Sequence, residues 1–309
     1  MDFLRTTALP LWERSEEAWE LMRILQPIEE DKFNLTSRDL DILQALLEHR
    51  FLTLNQIVRI HFRSKSGYYT CSRRMRKLFQ IGLVLRYRPM VMKNEGSAPY
   101  IFSISQLGYE VISKTRFLEQ DISSLYYRED GNIIELSRII HELELNDFCL
   151  DFFEEAIAKK LRFEWTPTRL TRQSFSVTGG KTFTVEPDAV FHIYTQKGER
   201  VLHIEYERSA DRRRFRQKIE RWKAYRKQQA WREKYGAEPF ILVVGHERSV
   251  ETNGRKRRVF NSILPLQSIA EFRQFENIAF LTLDERQKGG WNCLPMKNIT
   301  KTIWDYVVG

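Results

Sequence analysis

The chain has 309 residues, a net charge of +9 and a hydrophobic fraction of 42%. This length is enough for two domains with separate cores. No stretch approaches the roughly 20 apolar residues that span a bilayer, and the first residues lack the basic region and apolar run of a signal peptide, so we expect a cytoplasmic protein. The three cysteines are too few and too far apart to suggest a disulfide framework or a zinc site.

The positive charge is concentrated in two stretches. Residues 63–88 contain eight Lys or Arg and no acid, and residues 211–234 contain eleven basic residues and three acids. Each stretch therefore carries +8, and the rest of the chain is net acidic. This distribution indicates two surfaces that contact a polyanion, although either stretch alone could be a solvated helix face.

Residues 1–34 are predicted to form an N-terminal helical arm, and residues 35–112 to form three helices followed by two strands. Thr36 or Ser37 is the expected N-cap of the first helix. The third helix carries the first basic stretch and ends near Gly82. Strands at residues 83–88 and 99–104 follow, joined by a tip at residues 90–98.

This order resembles the winged helix-turn-helix family over residues 35–112. The resemblance rests on the apolar spacing, on the sequence Ile81-Gly82-Leu83-Val84 and on Tyr100-Ile101-Phe102-Ser103-Ile104 followed by Leu107-Gly108. It implies that the third helix enters the DNA major groove and that the strand pair contacts the adjacent backbone or minor groove. The DNA-binding residues that it implies are Arg73, Arg74, Arg76, Lys77, Arg86 and Arg88. The alternative is a winged helix that binds only protein.

A connector is predicted at residues 113–132 and a long helix at residues 133–160. A short strand at residues 163–166 and a loop rich in Thr, Ser and Gly follow. The long helix carries four polar residues, His141, Glu142, Glu144 and Asn146.

Residues 183–193 and 201–207 alternate apolar and polar side chains, which predicts two antiparallel strands with one core face and one acidic face. A turn at Lys197-Gly198 would place Asp188 opposite Glu207 and diagonal to Glu205. Like charges across a strand pair are destabilising, so a divalent cation is the obvious candidate to offset them. The same register would pair His192 with His203, either to extend a metal site or simply to bond to neighbouring groups.

A basic helix is predicted at residues 212–234, capped by Ser209 or Asp211. Its apolar face comprises Phe215, Ile219, Trp222 and Tyr225, and Arg212, Arg213 and Arg216 are predicted to bind DNA. A buried strand at residues 240–245 follows. The basic residues 255–258 are predicted to open a helix that ends near residue 275, and residues 278–283 form a last strand.

With Pro187-Asp188 on one strand and Glu205-Tyr206-Glu207 on the next, the order from residue 133 resembles the PD-(D/E)xK nuclease superfamily. The resemblance implies that Asp188 and Glu205 hold Mg²⁺ or Mn²⁺, with Glu142 or Glu144 as a further ligand. The chain departs from the superfamily at Glu207, where a lysine is usual. Lys218 of the following helix is the candidate replacement, ahead of Arg214. The predicted catalytic residues are Asp188, Glu205, Glu207 and Lys218.

The whole chain from residue 35 resembles the replication-relaxation family of plasmids and integrative elements. This resemblance rests on the combination of an N-terminal winged helix with a nuclease-like C-terminal half. It also rests on His141, Asn146 and the stretch from Lys218-Ile219 to Tyr225. The expected fold is an α+β or α/β protein with an N-terminal winged helix-turn-helix and, at residues 133–309, a PD-(D/E)xK nuclease-like domain with a mixed central sheet.

This resemblance implies a DNA-binding protein of a mobile element that cuts or nicks DNA with Mg²⁺ or Mn²⁺. The alternative is a non-catalytic regulator or replication accessory that keeps the nuclease fold as a platform, and a protein-interaction adaptor is disfavoured by the two basic stretches. The expected partners are double-stranded DNA and either a second copy of the chain or another replication or transposition protein.

Overall fold

A computed structural model describes residues 35–62, 67–88, 99–116, 136–177, 179–252, 255–283, 286, 289–294 and 301–307. The predicted N-terminal arm, the tip at residues 90–98 and most of the predicted connector lie outside these ranges. The described residues form a mixed α+β structure that divides into two compact units, Met1–Phe152 and Phe153–Gly309. None of the helices in these ranges combines the length and apolar character that crossing a bilayer requires.

The first unit contains the three helices and two strands predicted from the sequence, together with a short strand and a further helix. Its elements are α1 (Ser37–His49), β1 (Leu52–Thr53), α2 (Leu54–His61), α3 (Gly67–Gln80), β2 (Val84–Tyr87), β3 (Ile101–Ile104) and α4 (Gln106–Arg116). The strands form an antiparallel sheet in the order β1-β3-β2. Because α4 continues to Arg116, the predicted connector does not begin at residue 113.

The N-terminus of α1 is held by a buried acid. Thr36 is the N-cap and forms a capping box with Asp39, whose carboxylate accepts hydrogen bonds from the Thr36 backbone and hydroxyl. Arg74 of α3 donates two further hydrogen bonds to the same carboxylate. Although burial opposes ionisation, these donors lower the pKa of Asp39, so it remains an anion that ties α3 to α1.

The long helix predicted at residues 133–160 is α5 (Leu136–Ala158). Its first part belongs to the first unit, where the buried side chain of Gln56 fixes it. The Gln56 amide nitrogen donates to the Leu143 carbonyl at 2.8 Å and to Asp147 Oδ1 at 2.9 Å. The amide oxygen of Gln56 accepts from the Thr53 N–H at 2.8 Å and closes the capping box of α2. One side chain therefore caps α2 and anchors α5.

The second unit is built around a mixed five-stranded sheet. Its elements are β4 (Arg162–Pro167), β5 (Gln173–Ser176), β6 (Thr182–Val185), β7 (Ala189–Thr195), β8 (Gly198–Glu207), α6 (Arg212–Lys227), α7 (Trp231–Tyr235), β9 (Pro239–Gly245), β10 (Glu247–Thr252), β11 (Arg255–Asn261), α8 (Ile263–Phe272), β12 (Ile278–Thr282) and α9 (Ile303–Val307). The sheet order is β12-β9-β8-β7-β4. Strands β4, β7 and β8 pair antiparallel, whereas β8, β9 and β12 pair parallel.

Both faces of this sheet are covered in the second unit. The predicted apolar face of α6 is buried and packs with α8 against β8, β9 and β12 in one core cluster. On the other face, the ring of Phe153 from the end of α5 contacts the ring of Phe163 in β4. The face predicted to be acidic is therefore also a packing face, because α6 lies over it.

The predicted register of the hairpin is wrong by two positions. The turn is formed by residues 196 and 197, so that Thr195 pairs with Gly198 and Ala189 pairs with Ile204. The Thr195 hydroxyl explains the shift, because it donates to the Gly198 carbonyl and accepts from the Lys197 N–H. A shift of two leaves every side chain on its predicted face, but it changes which residues lie opposite each other.

The prediction of a single strand at residues 183–193 is also wrong, because this segment forms parts of two separate strands. Residues Thr182–Val185 form β6 and pair with β5 in a separate two-stranded sheet, and β7 begins only at Ala189. Pro187 lies in the interruption. Its lack of an N–H prevents it from continuing a hydrogen-bonded ladder.

Two predicted helices also differ from the structure. The helix at residues 212–234 ends at Lys227, and Gln229, with a φ of 51°, separates it from α7. The basic residues 255–258 do not open a helix. They lie in β11, which pairs with β10 in a two-stranded antiparallel sheet of its own.

We expect Gln56→Ala to lower the free energy of unfolding of the first unit by about 2–4 kcal/mol, because it removes a cap and a buried hydrogen-bonding side chain. Urea denaturation would measure the change. Gln44→Ala is the matched control, because the Gln44 side chain of α1 bonds to Glu48 one turn along its own helix. Equal stability of the two variants would contradict the anchoring role of Gln56.

Candidate functional site

Three acids meet where β7 begins and β8 ends. Glu205 and Glu207 lie two residues apart on β8, at 2% and 9% exposure. Asp188 immediately precedes β7, and in the observed register it lies one position beyond the pair Ala189 and Ile204, opposite Glu205. The predicted arrangement, with Asp188 opposite Glu207, is therefore wrong, and Asp188 is placed closer to the more deeply buried acid.

The backbone holds Asp188 in this position. Its N–H donates to the Ile204 carbonyl at 2.8 Å, and its Oδ2 accepts from the Tyr206 N–H at 2.7 Å. Two threonines just after β4 hold the other side, since Thr168 donates to the Asp188 carbonyl and Thr171 donates to the Pro187 carbonyl, both at 2.5 Å. Sequence reasoning missed both threonines, because their contact partners are 16 and 20 residues away.

Lys218 supplies a cation from α6. Its Nζ lies 2.6 Å from Glu205 Oε2 and 2.5 Å from Glu207 Oε1. Asp211 starts this helix by accepting hydrogen bonds from the N–H groups of Arg213 and Arg214, and its apolar face is packed into the core. The residue that the sequence suggested as the missing lysine therefore contacts both acids of the β8 strand.

The charges of this cluster shift one another's pKa values. Burial raises the pKa of Glu205, and although Lys218 opposes this shift, the carboxylates of Asp188 and Glu207 add to it. Burial alone would lower the pKa of Lys218, but the same three carboxylates raise it above its ordinary value. Lys218 is therefore a firmly protonated cation among three acids.

The donor set suits a hard divalent cation. Asp188 and Glu205 offer carboxylate oxygens from neighbouring chain segments, which is the ligand type that Mg²⁺ and Mn²⁺ prefer. When ionised, the three acids and Lys218 sum to −2, so a divalent cation would balance the cluster. Within the described ranges, however, no group of three or more His, Cys, Asp or Glu has a geometry that could hold a metal ion.

The two strand histidines do not face each other, so their predicted pairing is wrong. His192 lies opposite Val201 and contacts Glu199 through Nδ1 at 2.7 Å. His203 lies opposite Val190, and its fully buried ring packs against Trp222 and other aromatic rings. Burial lowers the pKa of His203 well below its ordinary value, so this ring is neutral.

The two acids of α5 belong to the first unit. Glu142 and Glu144 are both buried there. Their participation in metal binding stays a prediction.

The basic residues of the first unit fall into two groups. Arg73, Arg76 and Lys77 are exposed on α3, whereas Arg74 is committed to the buried Asp39. On the strands, Arg86 lies between the rings of Phe79 and Tyr100, at 4.2 and 4.4 Å from their centroids, and Arg88 is exposed beside the Tyr100 ring. Tyr69, near the start of α3, is 81% exposed.

Arg212, Arg213 and Arg216 in the second unit are exposed, and their contact with DNA stays a prediction. Arg214, the second candidate for the missing lysine, is exposed as well, and it is Lys218 that contacts the acids.

Comparison with known proteins gives one match. A family model described as replication-relaxation matches residues 43–241, which is more than half of the chain. This match confirms the resemblance inferred from the sequence. No curated protein and no solved structure matches the chain.

We expect Lys218→Met to lower the free energy of unfolding of the second unit by about 3–5 kcal/mol, because it leaves two buried carboxylates without their cation. Denaturant titration would measure the loss. Lys227→Met, an exposed position on the same helix, serves as the control and should change stability little. Adding Glu207→Gln to Lys218→Met should recover part of the loss. A Lys218→Met protein as stable as the control would rule out a strong interaction.

Proposed function

The chain belongs to the replication-relaxation family, and from this premise we propose that it binds and cuts or nicks the DNA of a mobile element, such as a plasmid or an integrative element. The family suggests a role in replication or DNA processing. The proposal assigns DNA recognition to the first unit and phosphodiester cleavage to the second.

The first unit acts as a winged helix-turn-helix in this proposal. The order of α1, α2, α3, β2 and β3 and the three-stranded sheet support this assignment. The exposed Arg73, Arg76 and Lys77 would contact phosphates from α3 in the major groove, and Arg88 would contact the backbone from β2 and its extension. Arg74 is left out of this surface because it binds Asp39.

The second unit acts as a PD-(D/E)xK nuclease-like domain in this proposal. Its support is the succession α5, β4, β7, β8, α6, β9, in which the small β5–β6 sheet is an insertion. The single observation that carries the proposal is the contact of the Lys218 ammonium with Glu205 and Glu207, next to Asp188. The lysine absent from the strand is thereby supplied by the helix.

Asp188 and Glu205 would hold Mg²⁺ or Mn²⁺, which when bound polarises the phosphodiester and lowers the pKa of the attacking water. The Tyr206 N–H keeps Asp188 oriented. Lys218, protonated and able to donate three hydrogen bonds, would stabilise the negative charge that develops on the phosphate. Arg212, Arg213 and Arg216 would bind flanking phosphates.

A second candidate is a non-catalytic DNA-binding regulator or replication accessory. The observation that favours it is the same ion-pair cluster, because the Lys218 ammonium already bridges two of the acids without a metal ion. Salt-dependent DNA binding without cleavage would support this candidate.

We expect purified protein to nick supercoiled DNA with Mn²⁺ and to lose this activity in Asp188→Ala, Glu205→Gln or on addition of EDTA, because each removes the metal or a ligand. Gel electrophoresis would follow the conversion of supercoiled DNA. Glu220→Gln, an exposed acid of α6, should remain active. Cleavage that persists unchanged in Asp188→Ala would refute the assignment of the site.

We expect the double variant Arg73→Ala/Arg76→Ala to bind duplex DNA more weakly and to lower the slope of log Kd against log salt by about 1–2, since each lost phosphate contact accounts for about 0.9. Fluorescence anisotropy in EDTA would measure both. Arg38→Ala/Lys114→Ala removes the same charge from two other exposed positions of the first unit and should bind as the wild type does. Identical slopes for the two variants would exclude α3 from the interface.

A further inference from the structure

The strands β10 and β11 form a basic ribbon, defined here as Glu247–Thr252 together with Arg255–Asn261. Among the residues that the structure describes, the two strands of the ribbon pair with each other and are not part of the five-stranded sheet. Thr252 pairs with Arg255, so two residues connect its strands. Six to seven residues per strand give it a length of about 20 Å.

The charge of the ribbon is concentrated in β11. Its first four residues, Arg255, Lys256, Arg257 and Arg258, are all basic, and β11 contains no acid. Successive positions of a strand belong to opposite faces of a sheet, so this run supplies positive charge to both faces of the ribbon. Burying four adjacent cations in a protein core would be prohibitively costly. A ribbon of this composition is suited to contact with water or with a polyanion.

The base of the ribbon is attached to the acidic site. Strand β9 ends at Gly245, which pairs with Glu207. The buried Ser262, which follows β11, donates from its hydroxyl to the Glu207 carbonyl at 3.1 Å and accepts from the His246 N–H at 3.0 Å. Both ends of the ribbon are therefore joined by hydrogen bonds to each other and to the residue that contacts Lys218.

Because Gly245 has no side chain, the residues that follow β11 can pack closely against the end of β9. A Cβ at this position would lie 2.4 Å from Ile263 Cδ1 and 2.8 Å from Ser262 Oγ. The ends of the ribbon thus pack directly against the end of the β8–β9 pair, which fixes where the ribbon leaves the unit.

We propose that the basic ribbon is a DNA-binding arm that holds the phosphate backbone of a duplex beside Asp188, Glu205 and Lys218. The proposal rests on the proposed function, and it adds a contact surface separate from α3 and from the arginines of α6. A two-stranded antiparallel ribbon has the dimensions of the DNA major groove, and four basic residues on it match the charge of the backbone. The acidic cluster would repel a phosphate by itself, so an adjacent cationic arm offsets that repulsion.

The test compares two variants of the full chain with equal loss of charge. In the ribbon variant, Arg255, Lys256, Arg257 and Arg258 are each changed to Gln. The control variant carries Gln at four exposed positions of the second unit outside the ribbon, Lys181, Lys197, Arg200 and Lys301. Duplex DNA binding is measured by anisotropy in EDTA over a range of salt concentrations, so that cleavage does not contribute.

We expect the ribbon variant to bind about tenfold more weakly than the control at low salt and to show a salt slope smaller by about 2 or more. A photo-crosslinking residue in place of Lys256 should attach to DNA, and the same residue in place of Lys197 should not. This second readout uses a single exchange and does not depend on the ribbon variant folding.

Equal affinities and slopes for the two variants, or absence of crosslinking at residue 256, would overturn the ribbon proposal while the nuclease proposal stands. Loss of affinity in the ribbon variant together with a wild type that never cuts DNA would support the ribbon and overturn the nuclease proposal. A wild type that binds no DNA at all would overturn both.

Discussion

The ion-pair cluster of Lys218 is the interaction on which the second unit depends. A helix packed over the acidic face of a sheet would bury Glu205 and Glu207 without compensation, and Lys218 is the residue of α6 that contacts both. Helix α6 can therefore cover this face of the sheet only in a position where Lys218 contacts the two acids. Packing of α6 into the core and contact of Lys218 with the acids therefore require the same position of the helix, and a change at Lys218 affects both.

The same cluster would connect the stability of the second unit to its proposed function. Buried acids with like charges are costly to fold, and proteins retain such arrangements mainly where chemistry needs them. The backbone hydrogen bonds to Asp188 and the two threonine contacts hold its strand junction in place before any ligand arrives. The basic ribbon is attached to the same centre through the hydrogen bond of Ser262 to the Glu207 carbonyl, and in our proposal it would bind the phosphate backbone there.

Sequence reasoning located most elements and the acids, because strand alternation and helical spacing are local signals. The resemblance to the nuclease superfamily suggested Lys218 as the replacement lysine, and Lys218 contacts both acids of β8. Sequence reasoning placed the hairpin turn wrongly because the Lys-Gly pair suggested one position, whereas the hydroxyl of Thr195 fixes another. It interpreted residues 255–258 as a helix because a run of charge has no period. Long-range contacts such as Gln56 with α5 leave no local pattern at all.

A crystal structure determined after soaking with Mn²⁺ would test the central claim most directly, because the anomalous signal of the metal identifies its position independently of activity. The account predicts a peak bound by the carboxylates of Asp188 and Glu205, with the Lys218 ammonium displaced from Glu205 but still near the site. Absence of a peak, with Lys218 bridging Glu205 and Glu207 unchanged, would contradict it and would identify the cluster as a structural salt bridge.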